Sequence, residues 1–590
     1  MTMRSYLLLL ALTLLTLCRE PLFASEPTLH LYRLPQTTDS RGWDEAVAVA
    51  TVQGILNRAR PSLYVLAPAR DASVAMPTRS QYWLDLLSRD GGWLSGRPRS
   101  EVRSLDALVV LAGAQLKGAI IWDPAVPATV NVATTLAGVH DAIVLSPELA
   151  EGKLATWRLP VLADLRGRFT GAETGSAKND AYRWAIREYL AKGRCSSRYL
   201  ALQHDSWSVR SRGQIDYVVN RDRAVRERAF VIDLSPWGDE TPADDRSQRL
   251  GLDLETYHLV LAEIERQADG QHLTELAGFF VFNKYSNWDG NVSRHEPVPT
   301  EWETVRTISP YNVYQNTATG DAYNQSLHVH APRLPLKQHR YAQPRTPEDK
   351  VYLCILMADY DSTTVLYDYL PKFWDDPNRG KVPLAWGINP NLLNAYPDLI
   401  AHFYRTLTPA DTITADAGAA GYINPSRIRP ENLPLFAEHN RRYFREADLT
   451  IAPMVLDWEI PSEQVKDAFV TFAPDGYGAM IWNMHTNTGR GPEPHVWKGM
   501  PVINLLNHAN EFPGPKKTAE IIAEAIAENA GGLTGYYFFR IVWTSPTQIV
   551  AMLEELRRQK PELKFEVIDV HTFYALVRQR LETAPSIGAQ

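Results

Sequence analysis

The sequence predicts an α/β protein with a C-terminal parallel (β/α) barrel-like domain, preceded by an N-terminal open α/β region. Three observations carry this reading. Eight strand-like runs after Val351 mostly alternate with helical stretches. A Pro- and charge-rich stretch from Ala331 to Lys350, without apolar period, separates this regular half from a less rhythmic one. The 590 residues are 45% hydrophobic and 22% charged, an ordinary globular composition too long for one core, so two or more domains are expected.

In chain order, residues 1–25 read as a signal peptide. Arg4 precedes the apolar run SYLLLLALTLLTLC (5–18), which is too short to span a bilayer as a mature helix. Leu17 before Cys18 is not the small residue that lipid attachment needs. After cleavage only Cys195 and Cys354 remain, so no disulfide framework is expected, and Cys354 reads as a buried thiol. The mature protein is expected to be secreted or periplasmic, with no membrane association.

The N-terminal region, 26–335, is expected to hold two or more subdomains. Residues 43–57 and 254–267 have helical apolar spacing, while 105–113, 117–124, 228–233 and 276–286 read as short strands. The barrel-like domain is assigned to 345–590. Its strand-like runs are 351–357, 382–388, 411–416, 449–456, 477–482, 500–506, 535–542 and 565–570. Ser545-Pro546 is a cap and first-turn pair, and Gly531-Gly532 stops the preceding helix.

The formal net charge of −7 and the absence of a basic run exclude nucleic acid as an expected partner. No phosphate loop, nucleophile elbow or dinucleotide fingerprint is present, which argues against kinase, esterase and dehydrogenase chemistry. Asn291 and Asn324 lie in acceptor sequons, which matter only in a host that glycosylates them.

Polar residues just past the strand ends of a parallel barrel share one face. Asp359 and Asp361 follow the first run, Asn389 and Asn391 the second, Asp416 the third, and Asp457 and Glu459 the fourth; His485, His508 and Arg540 come from later runs. Converging carboxylates split in pKa, as an acid and base pair requires, and glycoside hydrolysis uses two carboxyl groups. Asp359, Asp361, Asp457 and Glu459 are therefore the catalytic candidates. Trp386, Tyr422, Trp458, Trp482 and Trp543 flank them, and flat rings stack on sugar faces. The loop ADAGAAGYINPSRI (415–428) places Gly418, Gly421 and Pro425 on a fixed path with Tyr422 at its tip. The substrate-binding candidates are Trp386, Asn389, Asp416, Gly421, Tyr422, Asn424, Trp458, His485, His508 and Arg540.

Within that loop, Ala419-Ala420-Gly421-Tyr422-Ile423-Asn424-Pro425 resembles the signature of the GxGYxYP family of putative glycoside hydrolases, with Ala419 for its first Gly and Asn424 for its second Tyr. MADYDS (357–362) is similar to the family's Asp-Gly-Asp-Asn strand end, with both acids kept. Residues 380–392 and 216–240 also look like family segments, so the resemblance covers most of the mature chain. It implies sugar processing. LDWEIP (456–461) is similar to the end of the chitinase catalytic motif and supports Glu459 as an acid, although Pro453 and Val455 stand where that motif has Asp.

The expected function is a secreted glycoside hydrolase acting on a poly- or oligosaccharide by carboxylate acid/base catalysis, without a cofactor. The alternatives are a noncatalytic glycan-binding protein and a metal-dependent polysaccharide deacetylase. The histidines, including His328 and His330, lack zinc-type helical spacing, whereas Asp359 and Asp361 suit a hard cation such as Ca²⁺ or Mg²⁺.

Overall fold

The computed structural model describes residues 27–35, 39–68, 78–212, 220–280, 284, 302–317, 323–339, 345–358, 362–454, 457–480, 491–509, 513–542 and 544–583. Residues 1–25, which the sequence leads one to expect as a signal peptide, lie outside them. The chain is mixed α/β, with three small N-terminal parallel sheets followed by a nearly closed parallel barrel.

The first sheet contains β1 (Leu29–Arg33), β2 (Leu63–Leu66) and β3 (Arg99–Val102), in the order β2-β1-β3. The second contains β4 (Gly118–Ile121), β5 (Ala142–Leu145) and β6 (Val161–Asp164), in the order β5-β4-β6. The third runs β10-β9-β7-β8, from β7 (Tyr199–Leu202), β8 (Phe230–Ile232), β9 (Thr274–Ala277) and β10 (Val313–Asn316). Parallel neighbours need crossovers, and helices such as Ser40–Leu56 and Thr129–His140 supply covering layers.

One expected strand is a helix. Leu105–Ala112 is α-helical, capped by the Ser104 hydroxyl accepting from the Ala107 N–H at 3.2 Å. Leu105, Leu108, Val109 and Ala112 are buried at helical spacing while Val110 faces solvent. A short apolar run has no period of its own that separates the two states, and the serine cap decides it.

All eight strand-like runs of the C-terminal half form strands, and one strand was not anticipated. They are β11 (Val351–Met357), β12 (Leu384–Gly387), β13 (Asp411–Thr414), β14 (Ile451–Met454), β15 (Gly476–Ala479), β17 (Met500–Ala509), β18 (Tyr536–Ile541) and β19 (Phe565–Val567). The added β16 (His495–Trp497) pairs antiparallel with β17. The ring itself has seven strands, in the order β13-β12-β11-β18-β17-β15-β14. β19 does not complete it: it pairs with Val351–Leu353 of β11, whose upper part at Leu356 and Met357 pairs with β12.

The seam between β13 and β14 is sealed by other means. Near its base, the Gln338 amide accepts from the Ile413 N–H (2.9 Å) and donates to the Ile413 carbonyl (3.0 Å), so a side chain imitates the missing strand. Above, Gly418 forms an antiparallel bridge with Met454, and Tyr422 forms another with Gln315 of β10, two 2.8 Å hydrogen bonds. The Gly-rich loop thus closes the barrel and ties it to the N-terminal region.

The barrel interior holds Tyr352, Cys354, Leu356, Ala385, Ile503, Leu505 and Phe538, the alternate positions of their strands. Its floor, at the N-terminal strand ends, is plugged by the helix Val570–Thr583. The Phe573 and Tyr574 rings each lie 5.8 Å from that of Phe538. Gly476 and Gly478 leave room for this helix, since a Cβ on Gly476 would sit 2.4 Å from the Tyr574 ring.

Candidate functional site

The C-terminal mouth of the barrel is polar where the floor is apolar. Arg540, in register with the interior residues Tyr536 and Phe538, is fully buried. Asp416 follows β13 on the same inner side. A Cβ on Gly387 would meet both the Asp416 carboxylate at 3.0 Å and the Ala358 methyl at 2.6 Å, so only glycine lets these three strand ends converge.

Asp457 lies just past β14 and is 3% exposed. Ser426 of the Gly-rich loop holds it, donating its hydroxyl at 2.7 Å and its N–H at 3.3 Å. Burial pushes its carboxyl up to about 7 against those hydrogen bonds, and Glu459 pushes in the same direction. The group therefore carries a proton over much of the range below neutrality. Trp458 next to it has a left-handed backbone, φ 53°, which costs a bulky residue about 1–3 kcal/mol. Glu459, the next residue, is a third exposed and ion-paired with Arg427.

Neutral amides surround these charges. Asn389 and Asn424 are buried, and neither side-chain amide has a hydrogen-bond partner among the described residues. Asn391 donates to Asn316 at 2.7 Å, and its own carbonyl oxygen is without a partner there. Buried polar groups without a partner are exceptional in folded proteins.

Two aromatic expectations are corrected. Trp386 turns outward from the barrel: its indole N–H donates to Asp411 at 2.9 Å and its ring packs 5.3 Å from Trp374. It occupies an odd position on the strand relative to Ala385, and alternation sends it to the helical layer. Tyr422 is not offered at a loop tip but is fully buried in the interior cluster, filling the seam. Gly421 has φ 98°, and a Cβ there would sit 2.2 Å from the Tyr314 ring, so this glycine is required twice over. Ala419, where the signature has its first Gly, also adopts positive φ, 63°.

Asp359, Asp361, His485, Trp482 and Trp543 lie outside the described residues. His508 is within β17, but only its backbone is described. His328 is bonded to Asp398 at 2.7 Å and His330 to the Asn57 carbonyl at 2.6 Å, which gives both structural duties. Asn324 is buried and bonded to both backbone groups of Val65, so it is no glycosylation acceptor in the folded chain. Asn291 lies outside the described residues.

Sequence reasoning missed the contribution of β10. Gln315 pairs with Tyr422, Asn316 holds Asn391, and Thr317 accepts from the Ser362 and Thr363 N–H groups at 3.0 and 3.1 Å. One strand end thereby touches three loops at the mouth. No local signal marks it, because its partners lie 45 to 107 residues further along the chain.

This architecture defines a class: a parallel α/β-barrel protein with an acid- and amide-lined C-terminal mouth, the face where such barrels place chemistry. Residues 349–578 match the family model described as "GxGYxYP putative glycoside hydrolase C-terminal domain", and residues 116–193 match the GxGYxYP_N second domain. The chain belongs to the GxGYxYP family. A crystal structure described as a putative hydrolase from Bacteroides thetaiotaomicron VPI-5482 shares the fold, with TM-score 0.67 and 18% identity over 94% of this chain and 96% of that one. A putative polysaccharide deacetylase from Mycobacterium smegmatis matches at TM-score 0.28 and 11% identity over 43% of this chain and 99% of that one, too distant to indicate a common fold. No curated protein matches the chain.

Proposed function

We propose that the protein is a glycoside hydrolase in which Asp457 donates the proton to the departing glycosidic oxygen. The observation that carries this reading is a carboxyl buried just past the C-terminal end of a barrel strand and held by Ser426, where burial pushes it up to about 7. A general acid works best with a pKa near the working pH. The second carboxyl comes from the acids at the ends of β11 and β13, namely Asp359, Asp361 or Asp416. Asn389 and Asn424 suit the hydroxyls of a poly- or oligosaccharide, because each amide offers a donor and an acceptor. Glu459, ion-paired with Arg427 at the rim, assists by its charge rather than as the donor.

The test is turnover and binding of a panel of aryl glycosides and oligosaccharides by the parent and by Asp457→Asn. The variant should lose about 10²–10⁴-fold in kcat with binding retained. Binding without turnover by the parent itself would favour the noncatalytic glycan binder instead. The same proposal places the mature protein in the periplasm or outside the cell, supported by the sequence of residues 1–25. N-terminal sequencing of exported protein should start near residue 26, and a retained Met1 would overturn it.

A further inference from the structure

Four buried side chains link the N-terminal region to the mouth. Arg223 donates to both Glu275 carboxylate oxygens at 3.0 Å. Asn316 Nδ2 donates to Glu275 Oε1 at 2.7 Å, and Asn391 Nδ2 donates to Asn316 Oδ1 at 2.7 Å. All four residues are at least nine-tenths buried.

The direction of every bond in this row follows from its first member. An ionised carboxylate only accepts, so Asn316 must turn its NH₂ to Glu275 and its carbonyl oxygen to Asn391. Asn391 must then turn its own NH₂ to Asn316. Its remaining atom, Oδ1, is buried and has no partner among the described residues. Amide oxygen and nitrogen are nearly the same in shape, so packing alone would let each Asn flip. The Arg223–Glu275 pair removes that freedom.

We infer that Asn391 is a specificity-determining residue whose polarity is set from the N-terminal region: it presents a hydrogen-bond acceptor to a ligand hydroxyl, and Glu275 and Asn316 are the positioning residues that fix it. This rests on reading the mouth as a sugar site. The relay itself requires no glycan, so the two can fail separately.

Two measurements test the relay. Crystals of the full chain diffracting to better than about 1.2 Å reveal amide hydrogens. The expected result is the Asn391 NH₂ facing Asn316, and an Asn391 carbonyl oxygen facing Asn316 overturns the inference. The second is thermal unfolding of Asn391→Asp, Glu275→Gln and the double variant. Asn391→Asp sets a carboxylate against the Asn316 oxygen and should lower Tm. Glu275→Gln can donate, which lets Asn316 reverse and donate to Asp at 391. The double variant should then melt above the sum of the two single shifts, and additivity overturns the relay. Coupling that survives in an Asn316→Ala background also overturns it, since it would act through space.

A glycan turned over by the parent adds a functional readout. Glu275→Gln should raise its KM several-fold with kcat nearly unchanged, because the presented atom becomes a donor. An unchanged KM overturns the specificity role. A panel with no binding at all overturns the sugar reading, and with it the assignment of Asn391, while the stability cycle still decides the relay.

Discussion

The two ends of the barrel are built on opposite principles. The floor is closed by apolar contact: Phe573 and Tyr574 fill the space that Gly476 and Gly478 leave, against Phe538 and Tyr536. The mouth is lined by Asp416, Asp457, Arg540 and amides with atoms that lack a partner among the described residues. Apolar burial at one end offsets the cost of keeping hydrogen-bonding groups buried and available at the other. A protein that satisfied every group at its mouth would have nothing left with which to hold a ligand.

Predictions that sharpen this contrast begin at the floor. Phe573→Ala should lower stability by about 3–5 kcal/mol, as large aromatic deletions do, while leaving any glycan binding by the folded protein intact. Denaturant unfolding and ligand titration check this. A lost ligand effect without a stability loss would break the division of labour.

At the mouth, Asp457 makes stability depend on pH. Burial pushes its folded-state carboxyl up to about 7, above the ordinary 3.8, so its contribution is complete below about pH 4 and is lost as pH rises through 7. The span corresponds to a contribution on the order of 4 kcal/mol. Asp457→Asn should therefore gain stability relative to the parent between pH 4 and 8, read as a Tm difference at each pH. A constant difference would mean that burial does not hold this proton.

The seam lies between the two ends and should respond in between. Gln338→Ala leaves the Ile413 N–H and carbonyl uncapped, at a cost of about 1–3 kcal/mol for each group left unsatisfied. Urea unfolding gives the value, and a change below a few tenths would show that water replaces the glutamine. The smallest effect belongs to Tyr574. Its hydroxyl is buried without a partner among the described residues, so Tyr574→Phe should be neutral or stabilising by up to about 1 kcal/mol. A clear loss would reveal a hidden polar requirement at the floor.

The barrel strands were legible because each is a short apolar run bounded by turn residues, and VYLCILM matches β11 residue for residue. Of the acids expected past the strand ends, Asp416 and Asp457 are buried there, whereas Asp359 and Asp361 lie outside the described residues. Closure was not legible. Whether Phe565–Val567 joins the ring depends on which edge of β11 it meets, and no local pattern encodes a partner 214 residues away. Tyr422 was misplaced for a related reason. A Gly-rich loop reads as exposed until Gln315 gives it a strand to pair with. The Leu105 helix was recoverable, as Ser104 stands at its start and buried positions recur at helical spacing.

The seam also bears on how strand edges are covered. Separated from what precedes it, the barrel would lose Gln338 and the Gln315 pairing, leaving β13 and β14 as two unpaired edges only loosely spanned by the Gly418 bridge. Exposed strand edges recruit other edges. Gln338 and Gln315 thus cover backbone at the seam that the barrel strands alone would leave open.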